Sequence, residues 1–185
     1  MNIYEAIRER RSTRAFTAEP VEQHVIVRLI EAAVQAPSAM NLQPWVFTVV
    51  RDEVLLQQIS SDAKKCLAKN CGEQMPESLQ AMLDNERFQI FYHAPALIVI
   101  AAKTVSAWAV EDCALAAQNL MLAAHAEGLG SCWIGLAQRY LATPAGKQAL
   151  HLPDECATVA PVIVGYPRSV PADVQRKAPE IYWIG

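Results

Sequence analysis

Arg10, Arg11 and Arg14 place three cations within five residues, with Ser12 and Thr13 between them. Guanidinium forks and serine hydroxyls are the groups that hold a phosphate. The chain as a whole has a formal net charge of −3. A positive cluster on an acidic chain points to a specific anion rather than to a generally adhesive surface. The same arginines follow a short helical pattern, Ile3 to Arg8, with Ile3, Ala6 and Ile7 on one face. Cations at a helix C-terminus complement its macrodipole, so this segment alone supports both readings.

Three further segments carry groups suited to holding a ligand. Ala36 to Trp45 reads Ala-Pro-Ser-Ala-Met-Asn-Leu-Gln-Pro-Trp, a stiff loop between two prolines with exposed hydrogen-bonding groups. Asn41 and Gln43 each donate and accept, as the edge of a flat heterocycle or a polyhydroxylated chain requires. The plainer reading is a helix-to-strand connection whose polar groups satisfy its own backbone. Gly128 to Gly135 reads Gly-Leu-Gly-Ser-Cys-Trp-Ile-Gly. Glycines there let the backbone approach a flat ligand, or simply make a tight turn. Gly165-Tyr166-Pro167 is followed by Arg176 and Lys177, a late basic pair that returns to the anion of Arg10 or is solvated. His24, His93, His125 and His151 form no Ser-His-Asp or Cys-His set and read as ordinary surface or core residues.

These segments need elements to position them. Helices are expected at Val21 to Ala36, Val54 to Leu67, from Gln80 to about Phe91, at Glu111 to Glu127 and at Gln138 to Leu150. Buried strands are expected at Trp45 to Val50, Ala96 to Ala102, Cys132 to Ile134 and Thr158 to Val164. The helix from Glu111 to Glu127 is apolar around nearly its whole circumference, so it is buried all round. That burial, Leu120 included, is expected at an interface between two chains, with a central core helix as the alternative. Pro167, Pro171 and Pro179 keep the last residues extended, and Ile181-Tyr182-Trp183-Ile184 is strand-like with no sequence neighbour to pair with. Gly128-Leu129-Gly130 follows a helix rather than a strand, so it reads as a helix C-cap and not as a dinucleotide loop.

Composition narrows the classes. A chain of 185 residues, 52% hydrophobic and 19% charged, is expected to be one domain, 1–185, with some apolar surface buried against another subunit. A pI near 5.8 argues against nonspecific nucleic-acid or membrane-surface binding. No apolar run is long enough to span a bilayer, and the amphipathic start lacks a signal core, so a cytoplasmic location is expected. The five cysteines are scattered without metal-ligand spacing and read as reduced core thiols. No metal site is expected, and a Cys66–Cys71 redox pair is the remote alternative.

Together, in this order, the four segments resemble the FMN-dependent nitroreductase family over essentially the whole chain. The resemblance implies an α+β fold with a mixed central sheet flanked by helices. It implies an intertwined homodimer with two FMN sites built from both chains. It also implies an extended arm, 167–185, that crosses to the partner. Arg10, Arg11 and Ser12 resemble the phosphate and ribityl contacts, and Arg14 the cation beside the pyrimidine end. Pro37, Ser38, Ala39 and Asn41 resemble the loop given by the other subunit, with Gln43 just beyond it. Ile134 and Gly135 resemble backbone donors near flavin N5. Arg176 and Lys177 resemble late phosphate contacts, and Asn85 a mid-chain asparagine at the pyrimidine edge. The activity implied is NADH- or NADPH-driven reduction of nitroaromatics, quinones or related small acceptors by ping-pong hydride transfer, in which the flavin and no side chain carries the chemistry. The excursion 66–91 would lie near the open flavin face. A flavin-binding store or sensor without NAD(P)H turnover is the alternative.

Overall fold

The computed structural model describes residues 1–71, 76–103 and 106–185, apart from the side chains of residues 70 and 71. The tip of the 66–91 excursion, residues 72–75, and the Cys71 thiol of the suggested redox pair lie outside these.

Four strands form one sheet: β1 (Trp45–Val50), β2 (Ala96–Ala102), β3 (Gly130–Trp133) and β4 (Ala157–Gly165). Their spatial order is β1-β2-β4-β3, and every named pair is antiparallel. The one parallel contact among the described residues is an isolated bridge between Ser12 and Ser131. The sheet's parallel component thus reduces to that bridge, within the expected α+β class.

β2 is a continuous apolar run because both its faces are covered. Ala96, Ile98, Ile100 and Ala102 join a cluster with α2 (Gln23–Ala33) and α5 (Ala109–Ala126). Leu97, Val99 and Ala101 join a second cluster with α3 (Glu53–Cys71) and α6 (Gly135–Leu141). The period-two alternation of a strand divides one sequence run between two cores. α1 (Ile3–Glu9) opens the chain with a capping box from Asn2 and Glu5.

Three expectations are corrected. The helix ahead of β2 is α4 (Glu77–Asp84) and stops well before Phe91. Residues 85–95 turn instead, and the Asn85 side chain accepts the Arg87 N–H at 2.9 Å. The run Gln138 to Leu150 is two helices, α6 and α7 (Pro144–Ala149), because Pro144 sits at the start of a helix that Thr143 caps. Leu120 is fully buried inside the single chain, in the α2–α5 cluster. The all-round apolar character of α5 therefore serves mainly its own core. What α5 leaves outside is Val110, Glu111, Leu115, Gln118 and Ala126, with Trp108 just before it. Among the described residues, no helix is long and apolar enough to cross a membrane.

Candidate functional site

The arginine segment is not helical. After α1 the chain runs extended beside the sheet: the Thr13 N–H donates to Ser131 O at 3.0 Å, Thr17 N–H to Tyr166 O at 2.9 Å and Arg168 N–H to Ala15 O at 2.9 Å. The burial that follows has a spacing of three rather than a strand's alternation, Ala15 being exposed like Arg14. Thr13 and Phe16 turn inward, 3% and 2% exposed, while Ser12 and Arg14 stay outside. Gly130 is required by Thr13 rather than by a ligand: a Cβ there would meet the Thr13 side chain at 2.6 Å. Gly128, at φ 77°, ends α5 in the left-handed conformation, as a C-cap glycine does.

The three arginines have separate fates. Arg11 meets the needs of a helix end, its Nη1 donating to Arg8 O at 2.5 Å and Arg10 O at 3.0 Å, while its Nη2 pairs with Asp173 at 2.8 Å. Arg10 has no carboxylate partner among the described residues. Its pKa is lowered, first by burial and then by the nearby Arg176 and Arg11 guanidiniums. Asp173 answers Arg11, but among the described residues Arg10 and Arg176 form no ion pair, and crowded like charges of this kind call for an anion. Beside them lies a cavity of about 480 Å³, lined by Arg10, Arg11, Thr13, Gly130, Ser131 and Asp173, among others. Arg11 Nε, Ser131 Oγ and His125 Nε2 also border this region, each buried with no partner. Orphaned buried polar atoms are costly unless a ligand or water meets them. The residues present thus fit a phosphate-bearing cofactor. Arg14 lies elsewhere, in a cleft it shares with Tyr92; burial raises the Tyr92 pKa and Arg14 opposes the rise.

The Ile134 N–H is committed to Pro161 O at 2.8 Å, so it is not free for a ligand. Gly135, exposed at the start of α6 with open space where a Cβ would stand, is the backbone donor that remains. Lys177 lies exposed on the arm. Asn85 is spent in its own turn and accepts Lys64 Nζ on its carbonyl at 2.8 Å. Arg87 and Tyr92, not Asn85, line the cleft at Arg14. No sequence pattern singled those two out.

Pro37 to Gln43 stands apart from these cavities in the single chain. Met40, Asn41 and Gln43 have φ of 51°, 55° and 47°, which side chains other than glycine adopt at a cost of about 1–2 kcal/mol each. The Ser38 hydroxyl accepts the Gln43 N–H at 3.0 Å and Gln43 Nε2 donates to Asn41 Oδ1 at 2.9 Å. The tie to the body of the protein is Asp112 in α5, whose Oδ1 accepts the Ala39 N–H at 2.9 Å. Asp112 is 3% exposed and its Oδ2 has no partner. In the sequence it reads only as an acid in the first turn of a helix, so its role in holding the loop was not legible. The neighbouring Cys113 thiol is pushed up to about 11 by burial and then by Asp112, an unreactive core thiol.

A family model described as the nitroreductase family matches residues 7–166. A protein of Archaeoglobus fulgidus provisionally named NADH dehydrogenase/NAD(P)H nitroreductase is 31% identical over 163 residues, 86% of this chain and 82% of its own. An iodotyrosine deiodinase of Thermotoga neapolitana is 31% identical over 133 residues, 70% of this chain and 71% of its own. A solved nitroreductase with bound FMN from Bacteroides fragilis superposes with a TM-score of 0.88 at 28% identity, covering all of both chains.

Proposed function

Because the chain belongs to the nitroreductase family, we propose that it is an FMN-dependent oxidoreductase. In this reading, NADH or NADPH supplies electrons for the reduction of nitroaromatics, quinones or related acceptors. The observation that carries this reading is Arg10: half-buried, pressed by Arg176 and Arg11, without a carboxylate, and next to orphaned polar atoms. A dianionic phosphate answers all of these at once.

Bound FMN supplies the ability to take a hydride and return electrons. Arg10, Arg176 and Ser12 hold its phosphate end, with Arg11 and Lys177 adding positive potential. Arg14 stabilises negative charge at the pyrimidine edge. The Gly135 N–H orients the ring. Pro37 to Asn41, with Gln43 behind, covers the ring of a second copy, since the loop lines neither of the two cavities at the arginines. A homodimer of one-domain chains also gives the exposed Trp108, Val110 and Leu115 and the arm's Ile181 to Ile184 something to cover them. We place the protein in the cytoplasm on its charge balance and reduced thiols.

Purified protein should be yellow, and anaerobic NADH or NADPH should bleach it. A colourless protein that takes up no added FMN would sink the proposal. The second reading, a flavin store or sensor, draws on the absence of any identified nicotinamide-specific residue. Flavin that dithionite reduces and NAD(P)H does not would select it, and steady NAD(P)H oxidation with a quinone would remove it.

A further inference from the structure

Arg14, Arg87 and Arg168 come from three separate parts of the chain: the extended segment, the turn after α4 and the start of the C-terminal arm. They meet around a cleft of about 250 Å³ whose walls include Phe88, Tyr92 and His93. No Asp or Glu lines it. Among the described residues, none of the three guanidiniums forms an ion pair. Three unneutralised cations in one concavity, on a chain of net charge −3, focus a positive potential that surface arginines scattered singly would not.

The cleft is also built at some expense. Tyr92 and His93 both lie in the left-handed region, at φ 53° and 56°. The turn is held there because Gln89 accepts twice, its carbonyl from the Tyr92 N–H at 2.9 Å and its Oε1 from the His93 N–H at 2.7 Å. Two adjacent bulky residues in this conformation mark a segment whose shape is set by more than local preference. The turn sets Tyr92 in the same cleft as Arg14. The phenol is a donor at neutral pH as any tyrosine is, and burial moves its pKa further upward. A cleft with three forks, a phenol donor and an aromatic wall suits a carboxylate or phosphate attached to a flat ring.

We propose that this cleft binds the anionic group of a reactant. The group is the carboxylate of an aromatic acceptor or the 2′-phosphate that distinguishes NADPH from NADH; the shared chemistry is an oxyanion beside an aromatic body. The cleft's redox role rests on the proposed function, because Arg14 is the link between it and the flavin ring. The anion site itself does not rest on that reading.

The test compares wild type with R87A/R168A and R168E, leaving Arg14 in place. Benzoate affinity, read by calorimetry on the purified protein, should fall by on the order of a hundredfold in the double variant, the loss of two charge-assisted contacts. In turnover, the ratio of kcat/KM for 4-nitrobenzoate to that for nitrobenzene should fall by a similar factor if the acceptor supplies the anion. The ratio for NADPH to NADH should fall if the nucleotide does. R168E, which sets a repelling charge in the cleft, should lower the affected ratio as well. Unchanged benzoate affinity and unchanged ratios would overturn the proposal. So would a loss of FMN affinity with both ratios intact, since the arginines would then belong to the cofactor. A colourless wild type that still loses benzoate on R87A/R168A would remove the redox reading and leave the anion site standing.

Discussion

The extended segment around Arg10 and the loop around Asn41 are built in opposite ways. Residues 12–17 are hydrogen-bonded to β3 and to the residues that follow β4, and the inward Thr13 and Phe16 are packed. The loop 37–43 is exposed, holds three non-glycine residues at positive φ, and is tied to the protein body by the carboxylate of Asp112. The first is rigid because it is part of the core. The second keeps its shape without a core beneath it, which is what a surface presented to another molecule needs. In the proposed dimer, each flavin would therefore be held by one half that folding fixes and one half that a side chain pins.

The largest test of that contrast is Gly130→Ala. The added Cβ would stand 2.6 Å from the Thr13 side chain, and overpacking of this kind costs about 3 kcal/mol. Urea unfolding should show that loss together with lower FMN affinity. Full stability would show the segment to be softer than its pairing implies. Arg10→Ala should weaken FMN by about 2 kcal/mol, roughly thirtyfold, and leave riboflavin nearly unaffected. Equal losses for both ligands would assign Arg10 to the helix end. Asp112→Ala should weaken FMN and riboflavin alike, about tenfold, because the loop would cover the ring and not the phosphate. Asp112→Asn, which keeps an acceptor for the Ala39 N–H, should restore both. A tight-binding Asp112→Ala dimer would show that the loop holds its shape unaided.

The smallest effect lies away from both regions and calibrates them. Glu127 has a lowered pKa, chiefly from its hydrogen bonds to Arg28. A depressed carboxylate contributes stability above its unfolded pKa and loses it as pH falls through the folded value. Acid titration of stability should thus be slightly flatter in Glu127→Gln below the ordinary carboxylate range, and the difference should fade in high salt.

Much of this scaffold was legible in the sequence. Trp45 to Val50 and Ala96 to Ala102 are strands with the expected bounds, since β-branched runs between turn signals leave little choice. The break at Pro144 was equally written in the sequence, yet apolar periodicity alone ran the helix through it. The partners of individual groups were not legible. Ile134 gives its N–H to Pro161, Gly130 makes room for Thr13 and Asp112 holds Ala39. Each pairing is long-range, and sequence spacing carries no record of it. The same holds for Leu120: a pattern shows that a helix is buried all round, but not by which chain.

The sheet order β1-β2-β4-β3 has a consequence for synthesis. β4 occupies an interior position although it is the last strand in sequence, so β1 and β2 emerge and pair long before it. Until residues 157–165 arrive, β2 carries an open edge on an entirely apolar strand, and β3 has no strand partner, only the bridge to Ser12. That edge is the kind that recruits stray strands. The growing chain thus passes through a long stretch of translation in which its most water-averse strand is half-dressed, and a single late segment closes both gaps in one move.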